Sequence, residues 1–271
     1  MPWSKMKNMI LVILAVTNLA LLVLVGGQTL QGRRLLSRAR EDSLQFLRNR
    51  GVEVDESIIP QSMELTPQIV ERDLAGEERA AAALLGSPVT AESRGGEVYR
   101  YFNDIGSVQF HSDGTLSAQL EKGAFPLGED RGNGCLVVME RMGLQGTILE
   151  ETEDEIVFRQ TWRGRPLFTQ QVTLVCQDGD LRGITAGRQL VGTPREDTTR
   201  KTVTVATALI SFLNGVGALG DVCNRIDAVE QGYSAAASLS GPILLTPVWR
   251  VTTDTGAYQL DTVTGGVTRV S

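Results

Sequence analysis

Nineteen consecutive residues, Met9–Gly27 (MILVILAVTNLALLVLVGG), carry no charge. As a helix rising about 1.5 Å per residue they would cover about 28 Å, close to the hydrocarbon thickness of a bilayer. Backbone groups in lipid must be satisfied within the segment, so a helix is the expected form. A cleaved signal peptide is the alternative, with Val25-Gly26-Gly27 as its small-residue cut site. The apolar stretch is longer than the roughly 7–15 residues of a secretory signal, which favours an uncleaved anchor. No second stretch of this kind follows, so the chain reads as single-pass.

Within the anchor, Thr17 and Asn18 are the strongly hydrogen-bonding side chains. An amide in hydrocarbon needs a partner. Asn18 either bonds back to the carbonyl of Leu14 or bonds across a helix interface, with Ala15 permitting close approach. Leu14, Leu21, Leu22 and Val25 complete that interface by helical spacing. The flanks leave the orientation open: Lys5 and Lys7 precede the anchor, while Arg33, Arg34, Arg38 and Arg40 follow it. Residues 33–50 form a basic helical pattern of net charge +4, with Gly51 as its stop and arginines expected in solvent or against anionic head groups. Residues 51–271 carry −12.

That remainder is long enough for two ordinary domains. Glu77–Leu85 predicts a helix, followed by strands at Val98–Phe102, Ser107–Phe110 and Thr115–Leu120 with Asn, Asp and Gly at the turns. Gly134–Met142 reads as a further helix. Strands at Ile156–Trp162, Leu167–Cys176 and Leu181–Leu190 precede a helix at Lys201–Leu213, and strands at Val248–Thr253, Ala257–Asp261 and Val267–Val270 close the chain. Helices on one face of antiparallel sheets give an α+β fold in two units, with the break at 123–131. The organisation expected is a short tail at 1–8, the anchor at 9–27, a first unit at 28–124 that includes the juxtamembrane helix, and a second at 125–271. On the closing strands, Trp249 is expected against the helix at 201–213, within cross-strand reach of Tyr258.

Chemistry-bearing residues are sparse. With 26 Lys and Arg against 32 Asp and Glu, no general basic field exists for nucleic acid. One histidine, His111, beside the turn Ser112-Asp113-Gly114, reads as a surface residue. A Ser–Lys dyad has Lys122 or Lys201 to draw on beyond the anchor, both in polar settings. Gly215-Val-Gly217-Ala-Leu-Gly220 matches a dinucleotide fingerprint but follows a helix rather than a strand, so it reads as a glycine-rich helix exit. The acidic run Glu150–Glu155 lacks the glycine-turned loop of a calcium site and reads as a solvated turn. Cys135, Cys176 and Cys223 sit among apolar neighbours; buried thiols or one disulfide with a spare thiol are both open. The sequence therefore predicts no catalytic residue, metal or cofactor.

The opening Met1-Pro2-Trp3-Ser4-Lys5-Met6-Lys7-Asn8, running straight into the apolar helix, resembles the start of the YycI family of membrane-anchored regulators. The close, Thr246-Pro247-Val248-Trp249-Arg250-Val251 with Gly256-Ala257-Tyr258 and Asp261-Thr262-Val263-Thr264-Gly265, resembles the terminal hairpin of that family's PepSY-like repeat. The resemblance implies two PepSY-like units, a cytoplasmic N-terminus and an extracytoplasmic bulk. It also implies a YycH-type partner and a YycG/WalK-type sensor histidine kinase controlling cell-wall metabolism as the modulated protein, with no active-site residues. The competing expectation is a PepSY-like extracytoplasmic module that binds or inhibits a peptidase or a cell-wall ligand.

Overall fold

The structure, a computed structural model, describes residues 34–237 and 241–270. The expected membrane helix at 9–27 lies outside the described residues, and no helix among those described is long and apolar enough to cross a membrane. The fold is a sheet-dominated α+β arrangement with four helices packed against strands among the described residues.

The chain begins with helix α1 (34–49), whose buried stripe is Arg40, Ser43, Leu44 and Leu47, at i, i+3, i+4 and i+7. Two short strands follow, β1 (Glu53–Val54) and β2 (Gln68–Val70). A continuous inner segment then comprises α2 (Leu74–Leu85), β3 (Thr90–Ser93), β4 (Val98–Asn103), β5 (Gly106–His111), β6 (Thr115–Leu120), α3 (Arg131–Arg141), β7 (Gly146–Glu151), β8 (Glu155–Trp162), β9 (Arg165–Gln177) and β10 (Asp180–Arg188). The chain returns through β11 (Arg195–Glu196), α4 (Val205–Ala218), β12 (Arg225–Ala236), β13 (Ile243–Thr253), β14 (Gly256–Asp261) and β15 (Val267–Val270).

The inner segment builds its own antiparallel sheet, ordered β3-β4-β5-β6-β10-β9-β8-β7. Two of its hairpins, β8–β9 and β9–β10, close on Arg163-Gly164 and Asp178-Gly179, all at positive φ (50°, 73°, 56° and 82°), a turn geometry that matches the twist of the flanking strands. Leu84 and Leu85 of α2 and Cys135 and Met139 of α3 pack with Val108, Leu116, Phe158 and Leu174 of this sheet. The outer sheet centres on β13, which pairs along one edge with β12 and along the other with β2 and then β14. β1 joins β12 in parallel, β11 joins β2 and β15 joins β14. Its core unites Leu44 and Leu47 of α1, Leu209 and Phe212 of α4, and Trp249, Tyr258 and Leu260. The two sheets touch through one parallel pairing, Tyr233 with Leu167, above a seam of Val70, Leu190 and Leu245.

Two expectations change. The segment 123–131 does not divide the sheets: β6 on one side of it pairs with β10 on the other, and Leu127 N–H donates to Gly179 O at 2.9 Å. The described residues instead nest, with the inner sheet inserted between the two halves of the outer one. The insertion's neck is β2 against β11, tied by an Arg195–Glu71 ion pair of 2.5 Å. Arg40, expected in solvent, is buried at 6% exposure and donates to the carbonyls of Pro60, Glu56 and Ile59 at 3.1, 2.8 and 2.9 Å. The loop at 56–60 has no ladder partner for those carbonyls, and one planar guanidinium supplies it.

Candidate functional site

The expected anchor-interface residues Leu14, Ala15, Asn18, Leu21, Leu22 and Val25 lie outside the described residues. The remaining chemistry-bearing residues scatter. His111 ends β5 and lines a cavity of about 410 Å³ with Arg72, Glu77, Tyr99 and Gln189. The Arg72 guanidinium grips Glu77 bidentately at 2.7 and 3.0 Å, so one of the carboxylates lining that cavity is already committed. Lys122 pairs with Asp178 at 3.0 Å on the surface, and Lys201 is exposed ahead of α4.

The glycine triplet is not a loop. Gly215 and Gly217 lie within α4, and Gly220 follows the helix at φ 80°. A Cβ on Gly215 would stand 2.4 Å from Val267, so this glycine lets β15 approach the helix. The acidic run closes the β7–β8 hairpin, where Arg131 donates to the carbonyls of Glu153 and Thr152. Among the described residues no three His, Cys, Asp or Glu side chains converge as metal ligands. All three thiols are free and buried, and desolvation pushes Cys135 up to about 12 and Cys223 up to about 11, far from reactive thiolates at neutral pH.

What the residues do assemble is a sheet face without helices. Side chains alternate along a strand, so Phe158 and Trp249 point to the helical layer while their neighbours Arg159 and Arg250 point the other way. On the inner sheet this face carries a groove of about 400 Å³ lined by Ser107, Gln109, Ser117, Gln119, Arg182 and Thr185. Its floor is Gly183, where a Cβ would lie 2.5 Å from Ala118 O. The Nη1 atom of Arg182 is buried there without a partner. At the seam, Phe168 (5% exposed) lies beneath two guanidinia, Arg159 at 5.5 Å and Arg250 at 4.5 Å from the ring centroid. Gly232 makes room for that ring, because a Cβ would meet Phe168 Cε2 at 2.7 Å and Pro166 O at 2.5 Å. Glu230 faces Arg250 directly across the β12–β13 ladder and lies 3.6 Å from Arg159. Burial, and then the charge of Arg159, lower the pKa of Arg250, with Glu230 opposing them.

Sequence reasoning missed this face because its residues sit on different strands, and two of those strands were misread. The signal available is local: Arg159 follows Phe158 on β8 and Arg250 stands between Trp249 and Val251 on β13, so each points opposite its apolar neighbours.

No protein-family model matches the chain. No curated protein matches it either. Among solved structures, the chain is similar to an uncharacterized protein from Eubacterium rectale, at 10% identity and a TM-score of 0.41, over 78% of this chain and 87% of that one.

Proposed function

We propose that this chain is a membrane-anchored extracytoplasmic regulatory protein. It modulates a sensor histidine kinase of the YycG/WalK type through protein contacts and works beside a YycH-like protein. In this reading residues 9–27 cross the membrane once, the N-terminus is cytoplasmic, and the two helix-backed sheets are PepSY-like units facing outward. The observation that carries the reading is the pair of sheets, each covered by helices on one face and presenting the opposite face, linked through α1 to a 19-residue uncharged stretch. A presented sheet face with polar and cationic residues suits a binding partner. The chain's two ends add the resemblance to YycI regulators.

The test is recovery of the full-length chain from native membranes, with co-purifying proteins identified by mass spectrometry. A sensor kinase in the eluate, reduced by Asn18→Leu, is the expected result. Retrieval of a peptidase and no kinase would overturn it in favour of the second reading, a PepSY-like module for a peptidase or cell-wall ligand. The Arg182 groove favours that second reading, because about 400 Å³ suits a small polar ligand.

A further inference from the structure

The helix-free face holds more positive charge at the seam than its own acid can neutralise. Arg159 and Arg250 share one nearby carboxylate, Glu230, and the closer approach is 3.6 Å, longer than a hydrogen bond. The Nε atoms of both arginines are buried with no partner. Arg40 and Arg72, by contrast, are satisfied: Arg40 donates to three carbonyls and Arg72 to both oxygens of Glu77. Desolvating two guanidinia beside each other is costly unless an anion joins them. The surplus stands within residues 51–271, which together carry −12.

We infer that the Arg159–Phe168–Arg250 cluster is the docking point for an acidic polypeptide segment of a partner protein, whose Asp or Glu carboxylate takes the place that Glu230 only partly fills. This rests on the reading of the chain as a regulator acting through protein contacts, and it specifies the chemistry of that contact. Charge complementarity selects the occupant. A planar guanidinium pair matches carboxylate oxygens, and the ring beneath fixes both forks in place. The cluster lies on a sheet face rather than among the residues lining the Arg182 groove, so it fits a side chain presented by a macromolecule. Glu230 acts as the internal competitor that an incoming carboxylate must displace.

The test uses the full-length chain in lipid nanodiscs and a fluorescently labelled hexaglutamate peptide, read by anisotropy. Binding is expected to weaken steeply with added salt. Arg159→Gln and Arg250→Gln should each weaken it about tenfold or more, Arg250→Lys less, and Arg141→Gln on the helical side should leave it unchanged. Glu230→Gln should tighten it, a gain that a misfolded variant cannot produce. No hexaglutamate binding, an equal loss with Arg141→Gln, or no gain with Glu230→Gln would each overturn the inference. Equal competition by free glutamate would also overturn it, by making the cluster a small-carboxylate site. Hexaglutamate binding without kinase recovery from membranes would defeat the proposed function alone; kinase recovery without hexaglutamate binding would defeat this inference alone.

Discussion

Trp249 concentrates the outer core in one side chain. It is 2% exposed and shares a cluster with Leu209 and Phe212 of α4, as its strand position led us to expect. Replacing it removes both transfer free energy and packing contacts, so Trp249→Ala should cost about 3–5 kcal/mol. Equilibrium urea unfolding checks this through the midpoint at unchanged slope. Asp197 gives a second residue-scale expectation. Its carboxyl is held down to about 2 by the Thr199 hydroxyl and then by Arg200, which also donates to Gln68 O at the neck. A depressed folded pKa contributes stability above the unfolded value, near 3.8, that is lost as the pH falls through about 2. Melting temperature should therefore decline across that window. Asp197→Asn should flatten the part of the decline that belongs to this group.

At the scale of elements, legibility followed locality. Strands bounded by strong turn residues were readable: Thr115–Leu120 and Val267–Val270 match their expected limits. The helix expected at 201–213 begins instead at Val205, because the Thr204 side chain accepts from Thr207 N–H at 3.2 Å, and it absorbs two glycines before ending at Ala218. β12 was largely missed, since its Ala, Ser and Gly residues carry little strand preference. Its pairing with β13 supplies what local preference does not. Pro247 likewise hid the first half of β13. Its carbonyl accepts from Thr262 N–H at 3.1 Å on the edge facing away from β12, where pairing passes from β2 to β14, so the missing N–H breaks no bond of the β12–β13 ladder. The arginine cluster was unreadable for a related reason: it needs β8, β9, β12 and β13 side by side, and periodicity in one strand reveals only which way a residue points. Gly232→Ala tests how β12 serves the cluster. The added methyl has no room against Pro166 and Phe168, and the variant should lose about 1–3 kcal/mol. Chemical denaturation would measure the loss, and hexaglutamate anisotropy would report the accompanying displacement of Phe168 as weakened binding.

At the scale of the molecule, nesting changes which pieces can stand alone. The inner sheet, α2, α3 and their core all fall between the two strands of the neck. A fragment of residues 72–193 should fold cooperatively, with dispersed amide resonances and a single melting transition. A fragment of residues 125–271 should not, since it omits β6 from the inner sheet and β2 and α1 from the outer one. The reverse outcome would restore a division near residue 124.

The neck has a mechanical consequence as well. The inner unit leaves the outer sheet through β2 and rejoins it through β11, two antiparallel strands hydrogen-bonded side by side. Tension applied at α1 and at the last strand therefore runs through the outer sheet, where α1, α4 and β13 share one core. The inner sheet hangs from that load path at two places, the neck and the seam where Tyr233 pairs with Leu167 and Thr169 bonds with Ala235. Tension between α1 and the last strand would thus load β13, which carries Arg250, directly, and β8, which carries Arg159, only by way of β9 and the seam, so a pull would change the spacing of the fork.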